Sequence, residues 1–419
     1  MTKTVIIGID GVPFALMEKF SRDGTMPYFG ELRDQGIFRK MHSSIPEISS
    51  VSWSSIITGK NPGEHGIYGF TEIIPGTYTL SFPHFGKLQA TPFWHRDGSF
   101  IIINVPSTYP AAPLQGVLVS GFISPDLEKA IYPPSAMEIF KKFDYKIDVD
   151  TKKARKSTDL LFKELNKALE SRIKIYDYFT ETLSWDVSML VFTGSDRLEH
   201  FLWHAYEDPH HAYHDAFKKF FTTIDEALQH IHGGLAEDDA LIMLSDHGME
   251  RIESNVNVNC ILEEAGMLTR KKEKKRGYNN IQEKTAAFAL DPGRIYVNKK
   301  GKYPLGSVDS DHEESVVQAI RDTFEALTYK GRKVIKEIYA SSDIYHGPQT
   351  VYAPDLVLLP QRGFNLKGGI LPDTPFDTDT LTGKHTQEDA FLYVSGQYEV
   401  PETPSVEDMV PLLNLIMGW

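Results

Sequence analysis

Residues Ala240–Gly248 have the sequence ALIMLSDHG, in which five apolar residues are followed at once by polar ones. A short apolar run of this kind is typical of a strand buried within a parallel sheet. Asp246 and His247 would then lie at the end of the strand, where Gly248 lets the backbone turn away. A carboxylate beside an imidazole at that point suggests a pair of metal ligands.

Similar apolar runs recur along the chain: TVIIGID (4–10), SFIIINVP (99–106), GVLVSGF (116–122) and DVSMLVFTGSD (186–196). Helical patterns separate them, at about 13–35, at about 150–182 and from the last of these runs to 232. This alternation predicts an α/β fold with a mainly parallel central sheet and helices on both faces. In such sheets, ligands bind beyond the carboxyl ends of the strands.

The composition is that of a globular protein of 419 residues, with 41% apolar and 24% charged residues. The formal net charge of -13 argues against a nucleic-acid surface or an anionic membrane as partner, and favours small molecules or cations. The single cysteine, Cys260, excludes an internal disulfide and a thiolate metal site. Neither a signal peptide nor an apolar run of about 18 residues is found, so we expect a soluble cytoplasmic protein.

Aspartates follow three of the strand-like segments: Asp10, Asp196 and Asp246. Each alone would be read as a turn former or helix cap. Carboxylates gathered at one sheet edge repel each other, however, and a divalent cation is the usual reason to tolerate them. His200 lies four residues after Asp196, which on a helix places both side chains on one face, although such a pair also suits a surface ion pair.

A candidate nucleophile lies in PEISSVSWSSIITGKNPGEHGIYGF, residues 46–70, where a serine-rich turn leads into a helix-like stretch. The simplest role for a serine there is to cap the helix. The same position offers free backbone N–H groups and the positive end of the helix dipole, so a phosphate group could bind there.

Five segments, taken together, resemble the alkaline phosphatase superfamily and, within it, the type I phosphodiesterase and nucleotide pyrophosphatase group. They are VIIGIDG, PEISSVSWSSIITGKNPGEHGI, GSDRLEH, LSDHG and GKHTQ, and they follow the family's order. The resemblance implies an alkaline phosphatase-like core and a phosphohydrolase that depends on two divalent ions. Zinc is the family's usual metal, and manganese or iron also suits such ligands.

Carried over to this sequence, the resemblance implies two sets of metal ligands. One set is Asp196, His200 and His385; the other is Asp10, Asp246, His247 and the nucleophile. The family's nucleophile lies three residues after a proline and nine before a Thr-Gly pair, and both rules give Ser49, with Ser50 as its competitor. The resemblance thus implies a covalent phosphoseryl intermediate on Ser49.

The resemblance says less about the substrate. Phe70 stands where nucleotide pyrophosphatases have a phosphate-binding asparagine, which puts a nucleotide substrate in question. Lys60, Arg197 and Lys384 lie beside the motifs and could contact phosphate oxygens, or could equally be solvated charges.

We therefore expect a phosphodiesterase acting on small phosphate diesters, with a phosphonate hydrolase or a phosphomonoesterase as alternatives. A sulfatase is excluded because the required Cys/Ser-x-Pro-x-Arg context is missing, and a non-catalytic relative would be expected to lack a ligand. Alternation weakens over residues 270–349, which we predict to be an inserted cap. Residues 1–269 and 350–419 would form the catalytic core.

Overall fold

The computed structural model describes residues 2–150, 156–273 and 277–419, which form two compact units. Unit 1 comprises Met1–Lys60, His84–Glu250 and Thr380–Trp419, and unit 2 comprises Asn61–Pro83 and Arg251–Asp379. The cap predicted at 270–349 lies inside unit 2, but unit 2 has wider bounds. It also takes in 61–83, which are distant in sequence and share a hydrophobic core with the rest of the unit through Tyr78.

The strands are β1 (Thr4–Ile9), β2 (Ile37–Met41), β3 (Glu72–Ile73), β4 (Leu80–Ser81), β5 (Phe100–Val105), β6 (Gly116–Ser120), β7 (Ile131–Tyr132), β8 (Val187–Phe192), β9 (Ala240–Leu244), β10 (Gly248–Arg251), β11 (Ser254–Asn257), β12 (Ala287–Leu290), β13 (Arg294–Val297), β14 (Thr328–Tyr329), β15 (Arg332–Lys333), β16 (Ile335–Ala340), β17 (Leu356–Pro360), β18 (Phe364–Lys367), β19 (Phe376–Asp377), β20 (Gly383–Thr386) and β21 (Ala390–Val394).

The helices are α1 (Phe14–Arg22), α2 (Pro27–Gln35), α3 (Ser49–Thr58), α4 (Pro62–His65), α5 (Met137–Lys142), α6 (Thr158–Thr182), α7 (Gly194–Glu207), α8 (His214–Gly233), α9 (Val258–Glu264), α10 (Glu313–Glu325), α11 (Ser341–Ile344) and α12 (Met409–Met417). No helix among the described residues has both the length and the apolar character needed to cross a membrane.

The central sheet of unit 1 has the strand order β2-β21-β9-β1-β8-β5-β6-β7. The strands from β9 to β6 in this order run parallel, whereas β2, β21 and β7 pair antiparallel at the edges. Strand β1 therefore lies between β9 and β8, with Ile6 opposite both Ile242 and Met189. The carboxyl ends of these three neighbours meet at one edge of the sheet.

Both faces of the sheet are covered, as the alternation of strands and helices predicts. Odd-numbered residues of β1, such as Ile7, pack in a core with side chains of α1, α2, α6, α7 and α8. The even-numbered Ile6 packs on the opposite face with Trp53 of α3 and Leu413 of α12. The site residues are thus carried by strands that are buried on both sides.

Close packing between β1 and α3 gives a stability prediction. A Cβ added at Gly8 would overlap the ring of Trp53 and lie 3.0 Å from Val191 Cγ2. We expect Gly8→Ala to lower the free energy of unfolding by about 1–3 kcal/mol, because the buried indole must move. Urea denaturation measures this loss. Gly233→Ala, where a Cβ meets nothing within 4 Å, is the control and should cost nothing; equal stability of the two variants would contradict the packing.

Two of the predicted helical stretches each contain two helices. The stretch at 13–35 breaks after α1, where Gly24 has a φ of +81° and Pro27 begins α2. Only glycine adopts such a φ without strain, and proline is favoured at a helix start. The stretch ending at 232 breaks between α7 and α8, around Pro209.

The long helix predicted from about 150 begins in the structure at Thr158, where the Ser157 side chain accepts a hydrogen bond from the Leu160 N–H. Residues 151–155 lie outside the described residues.

Unit 2 has its own core and its own sheets. Strands β12, β13, β17 and β16 form an antiparallel sheet in that order, and Phe324 of α10 is buried in the same core as Ile295 and Leu358. A second sheet has the order β18-β11-β19.

Candidate metal centre and nucleophile

Three buried aspartates lie at the carboxyl ends of the three central strands. Asp10 directly follows β1, Asp246 follows β9 after one residue, and Asp196 lies in the first turn of α7, just beyond β8. Their exposed fractions are 3%, 0% and 5%. The strand order β9-β1-β8 therefore explains why carboxylates that are remote in sequence come together.

The first potential ligand group is formed by Asp196, His200 and His385. Asp196 Oδ1 lies 3.2 Å from His200 Nε2 and 3.3 Å from His385 Nε2. The helical spacing of Asp196 and His200 does place the two side chains on one face of α7. His385 comes from β20, and only the family resemblance had indicated it.

The imidazole nitrogens of this group are arranged as metal ligands are. His200 Nδ1 lies 2.7 Å from the Gly383 carbonyl oxygen, and His385 Nδ1 lies 3.0 Å from that of Glu47. A carbonyl oxygen only accepts, so each Nδ1 carries a hydrogen, and a neutral ring then has a lone pair on Nε2. These two Nε2 atoms lie only 2.9 Å apart. Two facing lone pairs repel each other, and a cation bound by both nitrogens removes that repulsion.

The second potential group is formed by Asp10, Asp196 and His247, whose ligand atoms lie within 4.8 Å of one another. His247 Nε2 is 3.9 Å from Asp10 Oδ1 and 3.2 Å from Asp246 Oδ2. His247 Nδ1 lies 3.0 Å from the Gly248 carbonyl, so this ring also turns a bare Nε2 towards the carboxylates.

Each of the three aspartates has one oxygen held by the protein and one without a hydrogen-bond partner among the described residues. The held oxygens are Asp10 Oδ2, Asp246 Oδ1 and Asp196 Oδ2, which accept from Trp53 Nε1 (3.1 Å), the Gly11 N–H (3.1 Å) and Arg197 Nη1 (3.2 Å), respectively. The remaining oxygens, Asp10 Oδ1, Asp246 Oδ2 and Asp196 Oδ1, are buried and unbonded. Buried oxygens without donors are costly, and hard divalent cations prefer oxygen ligands. The donor set therefore fits metal ions.

The pKa values of the clustered carboxylates also favour a metal site. Burial, followed by the charges of Asp246 and Asp196, raises the pKa of Asp10 well above its ordinary value. Burial raises the pKa of Asp246 to about 6. Burial also acts to raise the pKa of Asp196, but His200 and His385 outweigh it and hold that pKa well below the ordinary range. Without a cation, Asp10 and Asp246 thus favour their protonated forms, whereas Asp196 stays ionised.

Burial keeps His247 and His385 neutral. It lowers the pKa of His247 to about 4, and burial with the neighbouring His247 lowers that of His385 to about 4. Their rings stack with centroids 3.5 Å apart. Neutral imidazole is the form that binds metal, so these ligands need no proton loss near neutral pH.

These pKa values predict that metal affinity rises with pH. Asp246, with a pKa of about 6, and Asp10, whose pKa burial raises well above its ordinary value, hold protons that must leave before a cation binds. Protons and metal compete, so apparent Zn²⁺ affinity should increase between about pH 5 and pH 8. Calorimetry of Zn²⁺ binding in buffers of different ionisation enthalpy measures the released protons. Affinity that is flat over this range, with no proton release, would contradict the assignment.

Ser49 is the first residue of α3 and is 5% exposed. Its Oγ lies 3.1 Å from His247 Nε2, which has no hydrogen of its own, so the Ser49 hydroxyl donates this hydrogen bond. The contact joins the predicted nucleophile directly to the second ligand group. Ser50 Oγ is also buried and has no partner among the described residues, and no contact to a ligand candidate is seen for it.

The four candidate substrate-binding residues lie in different surroundings. Lys384 is 6% exposed and its Nζ lies 3.1 Å from Glu250 Oε1, and Arg197 pairs with Asp148 and Asp196. Lys60 is exposed, and Phe70 belongs to unit 2.

Glu199 was missed by the sequence analysis. It is fully buried, neither carboxylate oxygen has a hydrogen-bond partner among the described residues, and burial with Asp196 and Asp246 raises its pKa well above the ordinary value. Its position three residues after Asp196 on α7 was a usable signal, because residues i and i+3 share a helix face. Asp148 accepts hydrogen bonds from Arg197, and the Glu47 carbonyl oxygen accepts one from His385. The sequence carried no comparable signal for either residue.

The model of the type I phosphodiesterase / nucleotide pyrophosphatase family matches residues 4–387. The chain belongs to this family. The resemblance read from the five motifs is thereby confirmed, and this type I phosphodiesterase family member is a phosphoester hydrolase. A search of curated proteins found no match.

Solved structures with a similar fold include a phosphonoacetate hydrolase from Sinorhizobium meliloti 1021, in complex with phosphonoformate. It is 15% identical, with 99% of this chain and 96% of that chain covered and a TM-score of 0.67. Murine ectonucleotide pyrophosphatase / phosphodiesterase 5, as an inactive variant with AMP, is 13% identical, with coverage of 100% and 95% and a TM-score of 0.59. The human protein of that name, also 13% identical with the same coverage, has a TM-score of 0.58. These likenesses confirm the predicted alkaline phosphatase-like α/β fold.

Proposed function

We propose that this family member is a phosphodiesterase that depends on two divalent ions and uses Ser49 as its nucleophile. The observation that carries the proposal is the arrangement of unprotonated Nε2 atoms and unbonded carboxylate oxygens beside the Ser49 hydroxyl. A purely structural cluster would be expected to satisfy its buried polar atoms internally.

Seven side chains are proposed to hold the ions. Asp196, His200 and His385 would bind one ion; Asp10, Asp246, His247 and Ser49 would bind the other. When bound, divalent ions of this type, for which we propose zinc, neutralise phosphoryl charge and favour the alkoxide form of a bound hydroxyl.

The first step is attack by Ser49 Oγ on phosphorus. A bond forms between Oγ and phosphorus, the bond from phosphorus to the leaving oxygen breaks, and the leaving group departs with its electron pair. The hydroxyl proton leaves to solvent, because the lone pair of His247 Nε2, 3.1 Å from Oγ, is the one proposed to bind an ion. Because His247 Nδ1 is anchored to the Gly248 carbonyl, the ring keeps its bare nitrogen on the Ser49 side.

The second step releases Ser49. A water oxygen forms a bond to phosphorus, the bond from phosphorus to Oγ breaks, and a proton returns to the serine. Ser49 lies at the start of α3, so N–H groups of the first helical turn and the helix dipole favour the negative charge of the phosphoryl group in both steps.

Charge balance supports a diester as substrate. Arg197 and Lys384, which had been predicted to contact phosphate, are both paired with carboxylates of unit 1. A phosphodiester carries one negative charge, whereas a phosphomonoester near neutral pH carries nearly two and needs more compensation. We therefore place small phosphate diesters ahead of phosphomonoesters.

A substrate panel tests the proposal. With Zn²⁺ or Mn²⁺, the chain should hydrolyse bis-p-nitrophenyl phosphate and a thymidine monophosphate nitrophenyl ester at least about tenfold faster than p-nitrophenyl phosphate, in kcat/KM. Phosphonoacetate belongs in the same panel. Faster turnover of the monoester, or of the phosphonate alone, would contradict the diester assignment and leave the corresponding alternative.

A further inference from the structure

We infer that Arg197 is a positioning residue: it fixes the orientation of the Asp196 carboxylate in the metal centre, and Asp148 with Phe122 holds it in place. This role differs from the phosphate contact that the sequence had suggested for Arg197. It rests on the proposed metal centre, and it adds to that centre a pair of residues outside the ligand sets.

Arg197 reaches two carboxylates with opposite sides of its guanidinium group. Nε and Nη2 donate to Asp148 Oδ2 at 3.1 and 2.8 Å, a two-pronged contact, while Nη1 donates to Asp196 Oδ2 at 3.2 Å. The guanidinium carbon lies 4.0 Å from the centroid of the Phe122 ring. A planar group held along one edge and stacked on an aromatic ring has little freedom to turn.

Arg197 binds Asp196 Oδ2, whereas Oδ1 is the oxygen nearest to His200 and His385. Asp196 Oδ1 faces His200 and His385 at 3.2 and 3.3 Å, and within the part of the chain that the structure describes it has no hydrogen-bond donor. Because Oδ2 is tied to Arg197, rotation of the carboxylate is restricted and Oδ1 stays directed at the cluster. Asp196 is also the only aspartate shared by both potential ligand groups of the described residues, so its orientation affects both.

Because Asp148 neutralises the charge of Arg197, the contact between Arg197 and Asp196 orients the Asp196 carboxylate without adding net positive charge. The charges of Asp148 and Arg197 cancel, and their side chains are only 17% and 14% exposed. A phosphate group approaching Arg197 would have to compete with two carboxylates that are already bound. The arrangement therefore favours support of Asp196 over recognition of substrate.

In many metal sites, residues that do not bind the metal themselves hydrogen-bond to its ligands and orient them, as Arg197, held by Asp148, does here. Loss of such a residue typically weakens metal affinity 10- to 100-fold. We expect Asp148→Asn and Arg197→Lys each to weaken Zn²⁺ affinity by about tenfold or more. The double variant should be little weaker than either single one, because the two residues act as one unit.

The experiment uses the full chain and Zn²⁺ alone, in competition with a chromophoric chelator. The visible absorption of the Co²⁺-loaded forms should also change in Asp148→Asn, because the ligand Asp196 is displaced. Asp23→Asn is the control: it breaks the Lys218–Asp23 ion pair (3.1 Å) of unit 1 and should leave Zn²⁺ affinity unchanged. Asp148→Asn is nearly isosteric, so it carries the test even if an Arg197 variant fails to fold.

The outcomes separate this inference from the proposed function. Unchanged Zn²⁺ affinity and Co²⁺ spectrum in Asp148→Asn and Arg197→Lys, with a raised KM for the diester only in Arg197→Lys, would overturn the positioning role and make Arg197 a substrate contact. A wild-type chain that binds no Zn²⁺ would overturn the metal centre itself, and this role with it.

Discussion

Ser49→Ala is expected to lower kcat for diester hydrolysis by at least about a thousandfold while the fold is retained, because the bond to phosphorus can no longer form. The side chain is small and its one hydrogen bond to a described residue is with His247, so its loss removes little packing. KM should change much less than kcat, since groups other than the Ser49 hydroxyl bind the substrate. Steady-state kinetics with bis-p-nitrophenyl phosphate, together with circular dichroism and thermal unfolding, measure both effects.

Ser50→Ala is the matched control for that variant. Ser50 is adjacent, equally small and buried at 4%, but its Oγ has no hydrogen-bond partner among the described residues. We expect its kcat to remain within about tenfold of the wild type. If Ser50→Ala were inactive and Ser49→Ala active, the nucleophile would be Ser50, and the family spacing rules would have been applied to the wrong serine.

Asp196→Asn is expected to remove bound metal and to lower activity more than about a hundredfold, beyond the range seen when only supporting groups are lost. Asp196 Oδ1 is the oxygen that lies nearest to the Nε2 atoms of both His200 and His385, and Asp196 belongs to both potential ligand groups. An amide at this position keeps the size of the side chain but loses its charge. Metal content measured by mass spectrometry on the gently purified variant should fall below that of the wild type by at least the ion that Asp196 is proposed to hold.

Asp225→Asn is the control, because it removes a buried carboxylate that is not a proposed metal ligand. Asp225 is 3% exposed and accepts hydrogen bonds from the N–H groups of Tyr28 and Phe29 at the start of α2. The variant should be less stable but should keep its metal and its kcat. If Asp196→Asn retained full metal content while Asp225→Asn lost it, the cluster would not be the metal centre.

Local patterns predicted the parts of the fold that place the site. The apolar runs before Asp10, Asp196 and Asp246 predicted the central strands, since a strand buried on both faces has a strong signal of its own. That the three aspartates meet followed from the parallel arrangement, which brings carboxyl ends to one edge. The exact strand order, with β1 between β9 and β8, has no local signal and is known from the structure.

Features that depend on long-range contacts were not predictable. His385 had no helical or strand periodicity to mark it as a ligand, and only the resemblance to the family indicated it. The partner of Arg197, Asp148, lies 49 residues earlier in the chain, so adjacency to Asp196 suggested a free cation where the structure has an ion pair. The bounds of unit 2 were missed for the same reason, because residues 61–83 join its core from far away in sequence.

Stereochemistry at phosphorus distinguishes a covalent intermediate on Ser49 from direct attack by water. A phosphorothioate diester of known configuration, hydrolysed in ¹⁸O-labelled water, reports whether phosphorus is attacked once or twice. Our account, in which Ser49 attacks first and water second, predicts overall retention, because each in-line displacement inverts the configuration. Overall inversion would mean that water attacks the substrate directly, and would contradict the covalent intermediate on Ser49.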